Sequence, residues 1–399
     1  MTISATTQGI KPGVCTSTNR PSAPFDGQVI YMTDVDQTAV WDGSAWTVLA
    51  PIAGGRNVII NGAMQIAQRG TSVAGITGGN YYTADRWTTY TLTAGTWTNS
   101  IEADGPAGSG LAKSNKWLCT TANSSLSAGS AHIFTQPIEG QNLQRFAYGS
   151  ALAQQVTLSF WVKSNVTGTY IAELDSTRRV SASYTISVSG TWERKTVTFP
   201  VNTVDVITND NSAALSLRFW LVAGSTFSGG SSLATTWGTT SNTRAVGQTN
   251  LAAATNNYWQ VTGVQLEAGA VATPFEFEDY GTTLQKCKRY YQLVNINVNA
   301  YSALYTDIGT TFYGQQMAFP VTMRTSATLG LISLDSGAWQ WVVPGVSNYS
   351  ANTSANTGFV GSPTGWALTQ TRTAGGATPS RGSVYVLEAN ATIAASAEL

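Results

Sequence analysis

Val156-Thr157-Leu158-Ser159-Phe160-Trp161-Val162-Lys163 carries an apolar side chain at every even position and, Trp161 excepted, a polar one at every odd position. Successive side chains of a strand point to opposite faces, so this stretch reads as a strand with one face in a core. Leu215-Ser216-Leu217-Arg218-Phe219-Trp220-Leu221 repeats the pattern on odd positions, and Val197, Phe199 and Val201 give a third strand. Pro200 lacks the N–H that a central ladder needs, which places that third strand at a sheet edge. Tyr258 to Glu267 supplies a fourth. Turn-type clusters such as 228–232 separate these runs. Antiparallel strands with this alternation and spacing predict a β-sandwich.

Composition points the same way. Charged residues make up only 11% of the 399 residues, against roughly 25% in an average globular domain. Thr, Ser, Asn and 39 glycines take their place, residues that serve strands and turns better than helix interiors. Lys plus Arg equals Asp plus Glu at 21 each, so no concentrated positive surface is available for a polyanion and nucleic acid is not an expected partner. Apolar runs such as 219–223 fall far short of the roughly 18 residues of a membrane span. Met1 opens a polar segment without a basic start and apolar core, so synthesis in a cytoplasm without signal-directed export is expected. Cys15, Cys119 and Cys287 are too far apart for a CxxC-type metal site or a disulfide framework, and each reads as a buried or half-buried thiol.

Four segments follow. Residues 1–55 read as a small β module, with a strand at Val29-Ile30-Tyr31-Met32 and a hairpin at Ala39-Val40-Trp41-Asp42-Gly43-Ser44-Ala45-Trp46. So small a piece needs help to bury a core, which three copies meeting on an axis would supply. Residues 56–280 form the central sandwich. A linking helix is expected over 281–292, because Leu284, Cys287, Lys288 and Tyr291 recur at helical spacing and Lys286, Lys288 and Arg289 suit a helix C-terminus. Residues 293–399 return to strands, at Thr311-Phe312-Tyr313, 337–343 and 383–387, and form a C-terminal β-sandwich. The expected fold class is therefore all-β. No period of 20 to 50 residues marks a solenoid.

Several blocks then become familiar. Asn57-Val58-Ile59-Ile60-Asn61-Gly62 is followed by Gln65 and Gln68-Arg69-Gly70. Next come Tyr82-Thr83-Ala84-Asp85-Arg86-Trp87, Gln136-Pro137-Ile138-Glu139-Gly140, the strands at 157–163 and 258–269, Ala272-Thr273-Pro274-Phe275-Glu276, and the Cys287-Lys288-Arg289-Tyr290-Tyr291-Gln292 run. In this order they resemble the carbohydrate-binding-like jelly-roll module of bacteriophage tail-fibre and receptor-binding proteins, over 57–292. Arg20-Pro21-Ser22-Ala23-Pro24 and the Trp41–Trp46 block resemble segments near the start of phage fibre proteins. The last hundred residues match no such pattern apart from a strand start at Phe319-Pro320-Val321-Thr322-Met323-Arg324 and the final Ala397-Glu398-Leu399. The resemblance implies a homotrimeric virion appendage, assembled in the host cytoplasm. It would attach to other virion proteins by its N-terminal segment and face a host-surface glycan with its C-terminal part.

Catalytic groups are scarce. His132 is the only histidine, and beside Phe134 it reads as structural. Glu276 and Glu278 would share one face of a strand as a glycosidase pair does. The better-supported alternative is a solvated strand end leading to a helix N-terminus that favours acids, with Phe275 and Phe277 facing inward as core. No catalytic residue, metal site or cofactor is expected. Aromatics carry the binding expectation, because sugar rings stack apolar C–H faces on aromatic faces. Trp339 and Trp341 stand two apart, hence on one face, and Trp366 lies in a loop region containing Gly and Pro; these three are the candidate carbohydrate-binding residues. Trp161 and Trp220 fall on nominally outer strand faces, where packing against a further layer accounts for them better. The expected function is non-catalytic, multivalent adhesion to host polysaccharide. A purely structural virion part and a polysaccharide-degrading tailspike are the alternatives.

Overall fold

The computed structural model describes residues 13–35, 37–48, 55–296, 306–308, 311–313, 317–334, 340–341, 349–350, 357–371 and 391–399. Among the described residues the fold is all-β apart from two short α-helices and three single-turn 3-10 helices. At the N-terminal side, β1 (Gly13–Cys15), β2 (Val29–Met32), β3 (Gln37–Trp41) and β4 (Trp46–Val48) form one sheet in that order. Trp41 and Trp46 face each other across the hairpin with ring centroids 5.6 Å apart. The Asp42 carboxylate closes the turn by accepting from the Ser44 and Ala45 N–H groups at 2.9 and 2.8 Å. Only Ile30, Met32 and Ala39 are fully buried in this sheet, in line with the small core read from the sequence.

The central sandwich is built from β5 (Ser72–Ile76), β6 (Thr88–Leu92), β7 (Thr96–Glu102), β8 (Ser114–Thr121), β9 (Ala131–Glu139), β10 (Val156–Ser164), β11 (Gly168–Asp175), β12 (Arg179–Ile186), β13 (Glu193–Phe199), β14 (Ala213–Ala223) and β15 (Tyr258–Ala268). The six-stranded sheet runs β13-β10-β15-β8-β7-β5 and the five-stranded one β12-β11-β14-β9-β6. Val156, Leu158, Phe160 and Val162 are fully buried between them, and β13 is an edge strand that ends at Pro200, as alternation and the proline require. Trp87 stacks on Phe134 at 4.7 Å, and Phe219 packs on Trp259 at 5.4 Å and Phe160 at 5.0 Å, so aromatic rings fill the middle of the core.

Both outer faces are partly roofed. The chain after β14 starts with helix α1 (Ser225–Ser228) and lies over β11 and β14, where Trp220, Ile171, Ile133 and Ala245 form a second small core with Phe227 and Leu233. Arg244 holds Glu173 from this roof with two bonds of 2.7 and 2.8 Å, and the Trp220 indole N–H donates to the same carboxylate at 3.0 Å. Trp220 is thus an outward residue that its own chain covers. On the other sheet Leu111 packs over Gly263, whose φ of +61° and missing Cβ the contact requires: a Cβ there would lie 2.6 Å from Leu111 Cδ1.

Helix α2 runs Tyr280–Lys288, shorter than the expected 281–292. Asp279 caps it by accepting from the Gly281 and Thr282 N–H groups. It stops because Tyr291–Ile296 is extended as β16, which pairs with the strand Ala391–Ser396. Of the expected Leu284–Cys287–Lys288–Tyr291 stripe Cys287 and Tyr291 are buried, while Leu284 and Lys288 are half-buried and Thr283 and Tyr290 are buried in their stead. Ala391–Ser396 also pairs with Thr328–Leu334, making a three-stranded sheet. The expected strand at Thr311–Tyr313 is present, whereas 321–324 is irregular and 383–387 lies outside the described residues.

This sheet is clamped to the sandwich by charge. Arg86, 1% exposed and at φ +73°, pairs with Glu398, donates to the Pro137 carbonyl at 2.8 Å and lies 3.5 Å over the Tyr290 ring. Arg69 reaches the other Glu398 oxygen at 3.1 Å and covers Tyr291 at 3.6 Å. Gln68 bridges the Asp85 carboxylate and the Tyr291 carbonyl. Arg324 donates to the Ala397 and Glu398 carbonyls, each at 2.9 Å.

Candidate functional site

Strong pKa perturbation in a cleft is a usual pointer to function, but here Asp85 and His132, both shifted by burial, are closed in. Burial pushes Asp85 up to about 6, yet it is only 1% exposed and its oxygens are taken by Gln68. His132 stacks on Trp97 at 4.4 Å, meets Trp117 edge-on at 4.6 Å, and has Nδ1 2.6 Å from Thr91 Oγ1. Burial lowers its pKa to about 3, so it is a neutral core ring. The expected Glu276/Glu278 strand does not form: 270–279 is irregular, and Phe277 is 55% exposed instead of facing inward. Glu276 accepts the Gly55 and Asn57 N–H groups, Glu278 takes Lys286 and Thr283, and Asp279 caps α2. All three acids thus serve local structure.

Of the three expected carbohydrate-binding residues, Trp339 lies outside the described residues. Trp341 belongs to the short strand Gln340–Trp341, and Trp366 is the second residue of the strand Gly365–Thr371, not part of a loop.

A different aromatic group comes together on the outer face of the six-stranded sheet. Trp161 on β10 is half-buried, opposite Arg194 on β13 and Thr262 on β15. Two residues further, Lys163 lies opposite Gln260, which in turn lies opposite Lys116 on β8. Tyr258 follows on β15, and Trp192 stands just before β13; both are half-buried. Asp104, from the loop between β7 and β8, ties the group together. It pairs with Lys163, accepts the Trp192 indole N–H at 3.2 Å and has Gln260 Nε2 at 3.4 Å. Burial raises the Asp104 pKa, but the Lys163, Trp192 and Gln260 donors outweigh it and hold the carboxyl below its ordinary value. Lys163 Nζ is 5.1 Å from the Trp192 ring centroid and Lys116 Nζ 5.0 Å from that of Tyr258.

The result is a shelf with apolar ring surface as its floor and an acid, an amide and two ammonium groups between the rings. Such a surface suits a ligand with alternating apolar faces and hydroxyls. Of its members, alternation singled out Trp161 alone, as an outward residue. Trp192, Tyr258, Asp104 and Lys116 come from a loop, strand ends and a neighbouring strand, and only the sheet register unites them.

No family model and no curated protein matches the sequence. Among solved structures, the chain is similar to the enzymatically active domain of tailspike protein 4 of bacteriophage CBA120, with a TM-score of 0.29, 13% identity, and 53% of this chain and 21% of that chain covered. It is similar to TmCBM61 in complex with β-1,4-galactotriose, with a TM-score of 0.26, 9% identity and coverage of 53% and 99%. It is also similar to the tripod from the baseplate of bacteriophage Tuc2009, with a TM-score of 0.25, 11% identity and coverage of 84% and 94%. At TM-scores of 0.25, 0.26 and 0.29 these likenesses carry no argument about this chain.

Proposed function

We propose that this chain is a phage virion appendage that adheres to host polysaccharide without cleaving it, and that the sandwich shelf is where the glycan lies. The observation that carries the reading is the cluster of half-buried Trp161, Trp192 and Tyr258 around half-buried Asp104 and Lys163, with the buried Gln260 beneath, already ordered by hydrogen bonds. Preordered polar groups beside apolar surface lower the cost of binding. The resemblance over 57–292 supports the same class. Three copies on one axis would multiply a weak single-site affinity through effective concentration. Light scattering tests the oligomer: a mass near three times 42.1 kDa is expected, and a clean monomer removes the avidity part.

A purely structural virion role is the second reading. It is favoured by one observation: Arg69, Asp85, Arg86, Tyr290 and Tyr291, all within the resembling blocks, serve the clamp and not the shelf. Host-cell adsorption of the purified chain separates the two readings. The Trp161→Ala/Trp192→Ala variant is expected to lose adsorption. A Trp339→Ala/Trp341→Ala/Trp366→Ala variant is expected to keep it. The reverse outcome moves the site to the C-terminal tryptophans, and no adsorption by the unmodified chain supports the structural role.

A further inference from the structure

The shelf carries three cations, Lys163, Lys116 and Arg194, and two carboxylates, Asp104 and Glu102. Lys163 is matched by Asp104. Glu102 accepts from the Ser100 hydroxyl at 2.6 Å and keeps its charge, which leaves an excess of one positive charge. Among the described residues two cations stand without a carboxylate partner. Lys116 lies over the Tyr258 ring and makes no ion pair among the described residues. Arg194, directly opposite Trp161, donates only to the Thr273 carbonyl at 3.0 Å among its described contacts. In the order β13-β10-β15-β8 they stand on the first and last strands, three strand spacings across and two residues along, about 16 Å apart, with Trp161, Lys163 and Gln260 between them.

We propose that the shelf selects an anionic polysaccharide, one whose sugars carry carboxylate or sulfate substituents, with Arg194 and Lys116 meeting acidic groups on separate residues of one chain. This rests on the glycan-binding reading above. The rings supply affinity common to any pyranose, and the two cations supply the preference. A guanidinium that spends one N–H on a carbonyl keeps further donors for a carboxylate or sulfate, and an ammonium over a ring keeps its outward N–H groups. Half-exposed cations act through screened charge, so the preference is sensitive to salt.

Calorimetric titration of the full chain with polygalacturonate, its carboxyl-reduced galactan, dextran sulfate and dextran tests this. In at least one pair the anionic member is expected to bind about tenfold or more tightly than its neutral counterpart, a gap that narrows at high salt. The pair that shows it tells carboxylate from sulfate. Arg194→Ala should narrow the gap while leaving binding of the neutral member, Lys116→Ala with Arg194→Ala should close it, and Lys116→Arg should keep it. Equal affinity within both pairs, with Trp161→Ala weakening all four, overturns the anionic class and leaves the shelf as a glycan site. Binding to none of the four, or binding untouched by Trp161→Ala, overturns both.

Discussion

Replacing Glu398 by Gln removes the one carboxylate shared by Arg86 and Arg69 while preserving shape. Glu398 has a side chain 7% exposed and Arg86 one 1% exposed, so solvent screens the pair little. Breaking such a pair from one side leaves a buried charge uncompensated and costs about 3–5 kcal/mol. Arg86 keeps the Pro137 carbonyl and the Tyr290 ring, which places the expected loss near about 3 kcal/mol. For a unit of this size that corresponds to a fall in Tm of roughly 6–12 °C. Calorimetric or tryptophan-fluorescence melts measure it directly. Glu398→Gln combined with Arg86→Met, which removes both charges, should recover part of the loss. A fall of less than about 2 °C, or a double variant worse than the sum of the two singles, would refute the claim that this ion pair clamps the C-terminal sheet to the sandwich.

Three further outcomes are expected. Burial holds the His132 pKa at about 3 against an ordinary 6.5, so the unfolded chain alone takes up that proton between those values, and stability falls as pH drops below 6.5 by about 1.4 kcal/mol per unit. Asp85, raised to about 6 from 3.8, acts with opposite sign between those values, because there the folded chain holds the proton. Asp85→Asn should therefore separate the urea midpoints at pH 7 and 4.5 more widely than in the unmodified chain, and equal separations would count against this assignment. Gly263→Ala puts a Cβ 2.6 Å from Leu111 Cδ1 at a positive φ; a loss of at least about 1–2 kcal/mol in urea melts is expected together with weaker glycan binding, and an unchanged melt would show that Leu111 is not seated there. Arg244→Ala strands the buried Glu173 carboxylate, so limited proteolysis should open the chain within 225–250 first; protection equal to the unmodified chain would mean that Arg244 does not hold the roof.

How far the sequence could be read depended on whether local pattern or chain return decided the outcome. The Val156–Lys163 alternation and Pro200 are local, and they place the core face and the edge strand correctly. Outward positions are another matter. Thr157, Ser159, Gln265 and Glu267 look solvated by alternation, yet all are buried; Gln265 and Glu267 hold the Thr273–Glu276 segment that folds over them. Trp220 is covered in the same way by Phe227 and Arg244. The helix expected over 281–292 is too long because Tyr291 fits the Leu284–Cys287–Lys288 stripe, while pairing with Ala391–Ser396, about a hundred residues away in sequence, draws Tyr291 into a strand. The shelf is illegible for the same reason. Its members lie on four strands and a loop, and only Trp161 carries a local signal.

The stem Leu334↔Ala391 has a consequence of its own. These residues face each other across one antiparallel ladder, but the chain between them is also sewn to what precedes it: Gly365–Thr371 pairs with Thr311–Tyr313 and with Met317–Ala318. Arg69, Arg86, Arg324 and Glu398 all lie outside both stretches. Genetic exchange that hands this part a new surface therefore has to carry 311–318 along with tryptophans 339, 341 and 366, while the charged mount stays unchanged.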